Sequence, residues 1–269
     1  MSKSILITGS TDGIGLEAAK KLAAMGHRVL LHGRSETKLA AAKEAVAAGS
    51  PDAEIAGYLA DLSKFDAVEA LAQSIRDEHE SLDVLINNAG IFRTGHPITA
   101  DGLDVRFVVN TFAPYLLMQR LMPVLGSHSR VVNLSSAAQS TVSLSALKGE
   151  NHLSEEFDAY AQSKLAITMW TRHIADALRG KAPMVVAINP GSLLGTKMVQ
   201  EGFGMAGKDV GIGVDIIVRA ALADEFADAG GKYFDNDSGQ FAPPHADALD
   251  SNKVSVVVQA VEEVLAQYA

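Results

Sequence analysis

The sequence predicts an α/β fold in one domain, built on a doubly wound parallel sheet with helices on both faces. Short apolar runs alternate with amphipathic stretches along the chain, and this strict alternation is typical of βαβ units. The runs are almost continuously apolar, as strands of a sheet covered on both faces must be. The chain has 269 residues, 48% of them hydrophobic, and neither a linker nor an internal repeat is visible. Residues 1–269 are therefore expected to fold as a single domain.

Six segments are predicted as strands and six as helices. The strands are residues 4–8, 28–32, 55–59, 82–86, 130–134 and 184–188. The helices, whose apolar residues recur at helical spacing, are residues 15–25, 36–48, 65–79, 103–125, 156–179 and 252–267. Residues 192–213 are rich in glycine and lack a clear period, so we interpret them as a lid loop over a substrate.

Composition and charge exclude several classes of function. The chain contains no cysteine, so it has no disulfide, no cysteine-ligated metal and no thiol nucleophile. The formal net charge is −9 and the pI is about 5.3, which argues against nucleic-acid binding as the main activity. The first apolar run, Ile5 to Ile7, is too short for a signal-peptide core or a membrane span. A cytoplasmic protein with no membrane partner is expected.

A glycine-rich turn follows the first predicted strand and opens the first predicted helix. Its residues are Thr8, Gly9, Ser10, Thr11, Asp12, Gly13, Ile14 and Gly15. The glycines permit a tight turn and a close approach of the backbone to a ligand, and the helix N-terminus presents unpaired N–H groups to a pyrophosphate. This order of elements predicts a dinucleotide site; a glycine-rich turn without a ligand is the alternative.

The end of the second strand bears on which dinucleotide binds. It reads His32, Gly33 and Arg34, with no carboxylate where a fold that prefers NAD usually holds the ribose hydroxyls. The guanidinium of Arg34 suits the 2′-phosphate of NADP, although Arg34 could instead face solvent and pair with Glu36. Asp12 would repel a nearby 2′-phosphate. NADP(H) is favoured, and NAD(H) is the alternative cofactor.

Asp61 and Leu62 follow the third predicted strand. We expect both residues to contact the cofactor, with the Asp61 carboxylate accepting a hydrogen bond from the adenine amino group. The alternative is that Asp61 caps the next helix, within the sequence Asp-Leu-Ser-Lys.

Tyr160 and Lys164 lie four residues apart in a predicted helix, so their side chains project from one helical face. A free tyrosine has a pKa of about 10, whereas a nearby ammonium and a cationic nicotinamide ring favour the phenolate. Lowering the pKa of Tyr160 to the neutral range takes about 4 kcal/mol of electrostatic stabilisation, which two cations in a partly desolvated pocket can supply. By itself this spacing is common on amphipathic helices.

Together, the motifs resemble those of the short-chain dehydrogenase/reductase family over nearly the whole chain. The glycine turn matches the cofactor motif of that family. Asn110, Ser136, Tyr160 and Lys164 occur in the order of its Asn-Ser-Tyr-Lys catalytic set. Two further motifs follow the fourth and sixth strands as the family's N-N-A-G and P-G motifs do: Asn87, Asn88, Ala89, Gly90, and then Pro190 and Gly191.

Residues 99–104, 109–110 and 231–234 are most similar to the branch of retinol dehydrogenases and protochlorophyllide reductases, which tends towards NADP. The resemblance implies a Rossmann fold and an oxidoreductase that moves a hydride between a nicotinamide and a carbonyl or alcohol substrate, without a metal. It also implies that the two motifs after the strands contact the cofactor, through Asn88, Ala89, Gly90, Pro190 and Gly191. A homo-oligomer that pairs the helices at 103–125 and 156–179 would be usual for the family.

The resemblance further implies a role for each catalytic residue. Tyr160 would give a proton to the carbonyl oxygen or take one from the alcohol, and Ser136 would hydrogen-bond the same oxygen. Lys164 would hold the ribose hydroxyls of the cofactor and lower the pKa of Tyr160, while Asn110 would anchor a water that links Lys164 to solvent. Ser135 and Ser136 are adjacent and point to opposite sides, so only one reaches the substrate, and the family pattern favours Ser136.

Two features depart from the usual pattern of the family. Ser136 and Tyr160 are separated by a polar insertion, residues 140–156, of a kind that the retinol-dehydrogenase branch often carries. Thr196 comes one place later than the threonine of the family's P-G-x-x-x-T motif. Under the lid, Met198, Phe203 and Met205 are expected either to line an apolar substrate pocket or to serve packing alone.

Two other functions fit the same motifs. A non-catalytic redox sensor that binds NADP would keep the fold without needing the side chains of Ser136, Tyr160 and Lys164. An epimerase or dehydratase that uses bound NAD without net turnover would share the Tyr160 and Lys164 pair. Net consumption of NADPH with a carbonyl substrate separates these functions from a reductase.

Overall fold

The computed structural model describes residues 2–178, 181 and 183–268, and within them eight strands form one sheet. The strands are β1 (Ser4–Ile7), β2 (Arg28–Gly33), β3 (Ile55–Leu59), β4 (Leu82–Asn87), β5 (Leu125–Leu134), β6 (Met184–Asn189), β7 (Tyr233–Asp235) and β8 (Gln240–Phe241). Their order across the sheet is β3-β2-β1-β4-β5-β6-β7-β8. These strands pair in parallel except for β7 and β8, which are antiparallel. The predicted doubly wound α/β fold is confirmed.

The described residues also contain ten α-helical segments. They are α1 (Gly13–Ala24), α2 (Glu36–Gly49), α3 (Phe65–Glu78), α4 (Val105–Phe107), α5 (Ala113–Leu121), α6 (Leu144–Leu147), α7 (Glu156–Ala177), α8 (Lys197–Phe203), α9 (Gly211–Leu222) and α10 (Ser251–Leu265). A π-helical turn, Val108–Phe112, joins α4 to α5. Among the described helices, none is both long and apolar enough to cross a membrane.

Helices cover both faces of the sheet, because successive strand residues point to opposite sides. Leu6 of β1 packs into a cluster that contains residues of α3, α5, α7 and α10. Its neighbours Ile5 and Ile7 pack into a second cluster with residues of α1, α2 and α9. Two apolar layers therefore sandwich the strands, as their uninterrupted hydrophobicity predicts.

Five of the six predicted helices are present within a few residues of their predicted ends, and the one predicted at 103–125 is broken. Within that range the π-helical turn interrupts the α-helix, and a 3-10 turn at Met122–Val124 leads directly into β5. Pro123 lies in that 3-10 turn and cannot continue a helix, because it lacks an N–H. Arg179, the last residue of the helix predicted at 156–179, lies outside the described residues.

Several short elements were not predicted from the sequence. Helix α8 lies entirely within residues 192–213, which were expected to be irregular, and α9 begins there. Strands β7 and β8 are only three and two residues long. Strands of this length show no measurable alternation. Helix α9 does carry apolar residues at helical spacing, with Asp215 and Arg219 four residues apart on its outer side, and it was missed because its start lies in the segment interpreted as a loop.

The sheet topology brings the predicted motifs to one edge. Strand β1 lies between β2 and β4, so the strand order reverses there and a crevice opens at the carboxyl ends of these strands. The glycine turn follows β1, the Asn-Asn-Ala-Gly motif follows β4, and Ser136 follows β5. Residues separated by more than a hundred positions in the chain therefore border the same crevice.

Candidate active site

At Gly9 and Gly15, the turn between β1 and α1 packs too closely against its neighbours to admit a side chain. Gly9 and Gly13 have φ of +64° and +55°, the left-handed region that favours glycine. A Cβ atom on Gly9 would lie 2.8 Å from the Cα of Ala89, and one on Gly15 would lie 2.4 Å from Nδ2 of Asn88. The backbone of the turn is therefore held against the segment after β4, with α1 starting immediately behind it.

His32 braces this turn from β2, a contact that was not predicted. The N–H of Gly9 donates to Nδ1 of His32 at 3.0 Å, and Nε2 of His32 donates to the carbonyl of Ala60 at 3.1 Å. Burial lowers the pKa of His32 to about 4, so the ring is neutral at neutral pH and Nδ1 stays an acceptor. The hydroxyl of Ser10, a predicted cofactor contact, accepts from the backbone N–H of His32. The Ser10 side chain therefore points into the protein interior.

A cleft of about 580 Å³ extends from the glycine turn across the ends of the neighbouring strands. This volume is within the range of small-molecule sites. The predicted cofactor residues that line it are Gly9, Thr11, Asp12, Gly13, Ile14, Arg34, Asp61, Leu62, Asn88, Ala89 and Gly90. Ser10 and Gly15 are buried behind its wall. The remaining predicted cofactor residues, Tyr160, Lys164, Pro190 and Gly191, are not part of its lining.

Two cations border the part of the cleft beside β2. Arg34 is exposed in the cleft wall, and among the described residues no ion pair joins it to Glu36. Lys38 lines the same wall, and its Nζ lies 3.8 Å from Oδ2 of Asp12. The charge of Lys38 offsets the repulsion that Asp12 would exert on a 2′-phosphate. The sequence analysis did not single out Lys38, although a second cation four positions after Arg34 could have indicated it.

Asp61 lines the cleft and also shapes the chain beside it. Its Oδ1 accepts from the N–H and the hydroxyl of Ser63, at 3.1 and 2.8 Å. The N-cap of α3 is Lys64. The capping alternative was therefore wrong in detail, because Asp61 forms a tight turn ahead of the helix rather than its first capping bond.

Asn88 ties the segment after β4 to the glycine turn. Its Nδ2 donates to the carbonyls of Thr8 and Gly9 at 2.8 and 3.0 Å. Its Oδ1 is buried without a hydrogen-bond partner among the described residues. An unsatisfied buried acceptor is costly, so this oxygen suits a ligand donor at the cleft wall. A dinucleotide fits this set of groups: a glycine-lined helix N-terminus, two cations and an acceptor.

Lys164 and Tyr160 lie on one face of α7, as predicted. Lys164 is 4% exposed, its Nζ donates to the carbonyl of Leu134 at 2.7 Å, and this atom is 5.7 Å from the centre of the Tyr160 ring. Burial lowers the pKa of Lys164 to about 8. Burial raises the pKa of Tyr160, and a hydrogen bond with Ser136 acts in the opposite direction. The net direction is upward, because the cost of burying the phenolate dominates; the lowering by Lys164 together with a cationic nicotinamide stays a prediction.

Ser136, rather than its neighbour, lies beside the phenol. Ser135 is buried, and its hydroxyl bonds to the carbonyl of Lys164 at 3.0 Å and to the hydroxyl of Thr168 at 2.6 Å. Ser136 is partly exposed, and its Oγ accepts from the N–H of Ala138 at 3.1 Å. The hydroxyl proton of Ser136 is thus left for a bond towards Tyr160 or a ligand.

Asn110 occupies the π-helical turn between α4 and α5. Its Oδ1 accepts from the N–H of Ile91 at 2.8 Å, and its Nδ2 donates to the Ile91 carbonyl and to Oγ of Ser163. The side chain therefore ties the segment after β4 to α7, and because Oδ1 keeps a second lone pair, the anchoring of a water beside Lys164 stays a prediction. Pro114, four residues later, has no N–H, so the backbone carbonyl of Asn110 lacks the usual helical donor.

The turn after β6 is held by the hairpin of β7 and β8. Gly191 has a φ of +120°, and its N–H donates to Oδ1 of Asn189 at 3.1 Å. Nδ2 of Asn236 donates to the carbonyl of Pro190 at 2.9 Å, and Asp237 accepts from the N–H of Ser192 at 2.9 Å. The hairpin residues were not predicted, because their partners are about 45 positions away in the chain.

Helix α8 lies over the cleft. Thr196, Lys197, Met198 and Glu201 line it, and Thr196 caps the helix by accepting from the N–H of Val199. A Cβ atom on Gly202 would lie 2.7 Å from the ring of Phe92, so the helix rests directly on that ring. Met198 thus lies in the cleft, whereas Met205 is exposed. The side chain of Phe203 lies outside the described residues.

The chain is similar in sequence to retinol dehydrogenases. A model of the family described as short chain dehydrogenase matches residues 3–207. Retinol dehydrogenase 13 of Homo sapiens is 30% identical over 263 residues, which cover 91% of this chain and 80% of that protein. Retinol dehydrogenase 12 of Bos taurus is 31% identical over 257 residues, covering 91% and 81%.

Solved structures of similar fold include dehydrogenases bound to nicotinamide cofactors. A short chain dehydrogenase from Escherichia coli CFT073, complexed with NADPH, has a TM-score of 0.70 and 27% identity, over 87% of this chain and 96% of that chain. One from Burkholderia cenocepacia J2315, in complex with NADP, has a TM-score of 0.69 and 25% identity, over 87% and 95%. The chain belongs to the short-chain dehydrogenase/reductase family of oxidoreductases, in its retinol-dehydrogenase-like branch.

Proposed function

We propose that the protein is an NADP(H)-dependent oxidoreductase that interconverts a carbonyl compound and its alcohol, with Tyr160 as the general acid and base. One observation carries this proposal: the Ser136 hydroxyl, the Tyr160 phenol and the Lys164 ammonium come together next to Gly90 and Phe92, two residues that line the dinucleotide-sized cleft. A protein that only senses the cofactor does not need three side chains that can hydrogen-bond a substrate oxygen and transfer a proton to it.

The cofactor end of the cleft supports NADP(H). The backbone of the glycine turn and the N-terminus of α1 would hold the pyrophosphate. Arg34 and Lys38 would bind the 2′-phosphate, and Asp61 would accept from the adenine amino group. The NADPH and NADP complexes of similar dehydrogenases are consistent with this choice. When bound, the nicotinamide supplies or accepts the hydride, and the turn of Pro190 and Gly191 would hold its carboxamide.

The side chains of this protein would handle the proton and the oxygen. In reduction, Ser136 donates a hydrogen bond to the carbonyl oxygen and stabilises the charge that develops there. Tyr160 transfers its proton to the same oxygen. A positive charge beside the phenol is needed as well, because burial alone raises the pKa of Tyr160. Lys164 and a water anchored by Asn110 would then return a proton to Tyr160.

Aromatic side chains beside Tyr160 support an apolar substrate. The ring centre of Phe92 lies 5.2 Å from that of Tyr160 and 6.2 Å from that of Phe157. Phe157 is 52% exposed, which leaves an apolar surface next to the catalytic phenol. Residues 192–213 act as the lid over this surface. We therefore propose hydrophobic aldehydes or ketones as substrates, retinal-like compounds included, in line with the similarity to retinol dehydrogenases.

Turnover with defined carbonyl compounds tests the proposal. Purified protein is mixed with all-trans-retinal, benzaldehyde or hexanal and with NADPH or NADH, and the loss of reduced nicotinamide is followed by absorbance. We expect net oxidation of NADPH with at least one aldehyde, and faster turnover with NADPH than with NADH. If NADPH binds but Tyr160→Phe leaves every measured rate unchanged, the sensor is the better description. Conversion of a substrate at constant NADPH would instead indicate an epimerase or dehydratase.

A further inference from the structure

Two side chains from distant parts of the chain hold the carbonyl oxygen of Ser136. The hydroxyl of Tyr233 donates to it at 3.0 Å, and Nε2 of Gln139 donates to it at 2.9 Å. A carbonyl oxygen has two lone pairs, so these two donors saturate it. Strand β5 has already ended at Leu134, and these contacts fix the Ser136 peptide beyond the end of that strand.

Both donors are themselves held in one orientation. Tyr233 belongs to β7, which pairs with β6 in the sheet, and it is 5% exposed. Burial, with a smaller contribution from Asp235, raises the pKa of Tyr233, so its hydroxyl remains a donor at any working pH. Oε1 of Gln139 accepts from the backbone N–H of His245 at 3.1 Å. Since that N–H can only donate, the amide group of Gln139 must turn its Nε2 towards Ser136.

The position of the Ser136 hydroxyl depends on this backbone. Oγ follows the Cα–Cβ bond, and the orientation of the adjoining peptide sets where that bond points. Oγ also accepts from the N–H of Ala138, which leaves its proton for Tyr160 or the substrate oxygen. A hydroxyl on an untethered strand end would sample several positions, and reactive geometry tolerates displacements of only about 1 Å.

We propose that Tyr233 and Gln139 are positioning residues that hold Ser136 in its reactive orientation and link the C-terminal segment at His245 to the active site. This inference rests on the proposed function, because it takes Ser136 to bind the substrate oxygen. Tyr233 and Gln139 act through the peptide of Ser136 rather than on the substrate.

Removal of one hydroxyl tests the proposal with little change in packing. For Tyr233→Phe we expect kcat to fall about tenfold with the best aldehyde of the panel, while the dissociation constant of NADPH stays unchanged. Tyr58→Phe is the matched control, since its hydroxyl is also bonded inside the protein, to Glu78 and His79. It lies on β3, at the other edge of the sheet, and should leave kcat unchanged.

A double substitution separates positioning from a general loss of stability. In a Ser136→Ala protein the carbonyl tether has no hydroxyl to orient, so adding Tyr233→Phe should lower kcat no further. Gln139→Glu is a second variant: it keeps the acceptor for His245 but loses the donor to Ser136, and should lower kcat like Tyr233→Phe. A Tyr233→Phe effect that persists in full without the Ser136 hydroxyl would overturn the proposal.

The titration of Tyr160 gives a readout that needs no substrate. Each protein is titrated against its own Tyr160→Phe counterpart, and the ultraviolet difference spectrum then isolates the Tyr160 phenolate. The hydrogen bond from Ser136 favours the phenolate, so Ser136→Ala and Tyr233→Phe should both move this titration to higher pH, whereas Tyr58→Phe should not. If Ser136→Ala lowers kcat and Tyr233→Phe matches Tyr58→Phe in both assays, positioning fails and the proposed function stands. If Tyr233→Phe shifts the titration but no carbonyl is reduced, the function fails and positioning stands.

Discussion

The two ends of the cleft are built in different ways. At the phosphate end, one continuous stretch, residues 8–15, provides the turn, the glycines and the start of a helix. At the chemical end, Ser136 follows β5, Tyr160 lies on α7 and Tyr233 lies on β7. Ser136 and Tyr233 are 97 positions apart in the chain. A local motif thus creates the binding end, whereas the reactive end exists only when the sheet and α7 have packed together.

This difference predicts that substitutions at one end leave the other end working. A change at the phosphate end should weaken cofactor binding without altering the titration of Tyr160. A change at the chemical end should lower kcat without altering the affinity for NADPH. Substitutions at Tyr160, Gly9, Arg34 and Lys38 test this separation, beginning with the largest expected effect, and a last one at Lys164 tests the cost of burying its charge.

Tyr160→Phe should lower kcat by about 10³-fold, because it removes the only proposed proton donor to the substrate oxygen. The dissociation constant of NADPH, measured by nucleotide fluorescence, should change by less than about twofold. Tyr58→Phe serves as the control. A large loss of NADPH affinity in Tyr160→Phe would contradict the separation of the two ends.

Gly9→Ala should weaken NADPH binding by about 30-fold, equivalent to about 2 kcal/mol. Alanine disfavours the φ of +64° at this position, and its Cβ would lie 2.8 Å from the Cα of Ala89. Gly49→Ala is the matched control, because a Cβ there would meet nothing within 4 Å. Isothermal titration measures binding, and an unchanged Tyr160 titration in Gly9→Ala would sharpen the comparison.

Arg34→Ala should weaken NADPH binding about tenfold and leave NADH binding unchanged, since a charge-assisted bond to the 2′-phosphate contributes about 1.5 kcal/mol. Lys38→Ala should act in the same direction, because it also removes the cation 3.8 Å from Asp12. Lys20→Ala, on the outer side of α1 and paired with Glu17, is the control. Equal losses for NADPH and NADH would mean that Arg34 does not select the 2′-phosphate.

Lys164→Met should abolish turnover and yet raise the free energy of unfolding by about 1 kcal/mol at neutral pH. Burial lowers the pKa of Lys164 to about 8, from 10.5. Between these values the unfolded chain keeps a proton that the folded protein releases, so the penalty from Lys164 diminishes as pH rises through this window.

Urea denaturation at several pH values measures this effect. The stability gained by Lys164→Met over the native protein should be largest below pH 8 and shrink as the pH approaches 10.5. Lys20→Met, at an exposed position, is the control and should show no such trend. A gain that is constant across this range would indicate that packing of the methionine, not removal of a buried charge, stabilises the variant.

Most of the fold was predictable because helical period and turn chemistry act over a few residues. The glycine turn is an example: its φ values, its place after β1 and the start of α1 all follow from residues 8–15. Prediction failed where an element is too short to show a period, as in β7 and β8, and in the segment interpreted as a loop, which contains α8 and the start of α9. It also failed at α5, where Pro123 and the π-helical turn divide what reads as one long helix.

The candidate site likewise has features that the sequence predicted and features that it could not. The sequence alone indicated the residue types, since Tyr160 and Lys164 share a helical face whatever surrounds them. The sequence could not reveal that the Asn110 side chain hydrogen-bonds to Ile91 and Ser163, because these contacts join separate elements.

The sequence by itself determined the first six strands and most of the helices between them, the glycine turn and the residue types of the proposed catalytic set, because each depends on neighbours within one or two turns of chain. Tertiary structure alone decided the pairing of Lys38 with Asp12, the bracing of Gly9 by His32 and the tethering of Ser136 by Tyr233. Such contacts require the packing of β2, β5 and β7 into one sheet. A distance of about 3 Å between groups far apart in the chain is a property of that packing and of no local pattern.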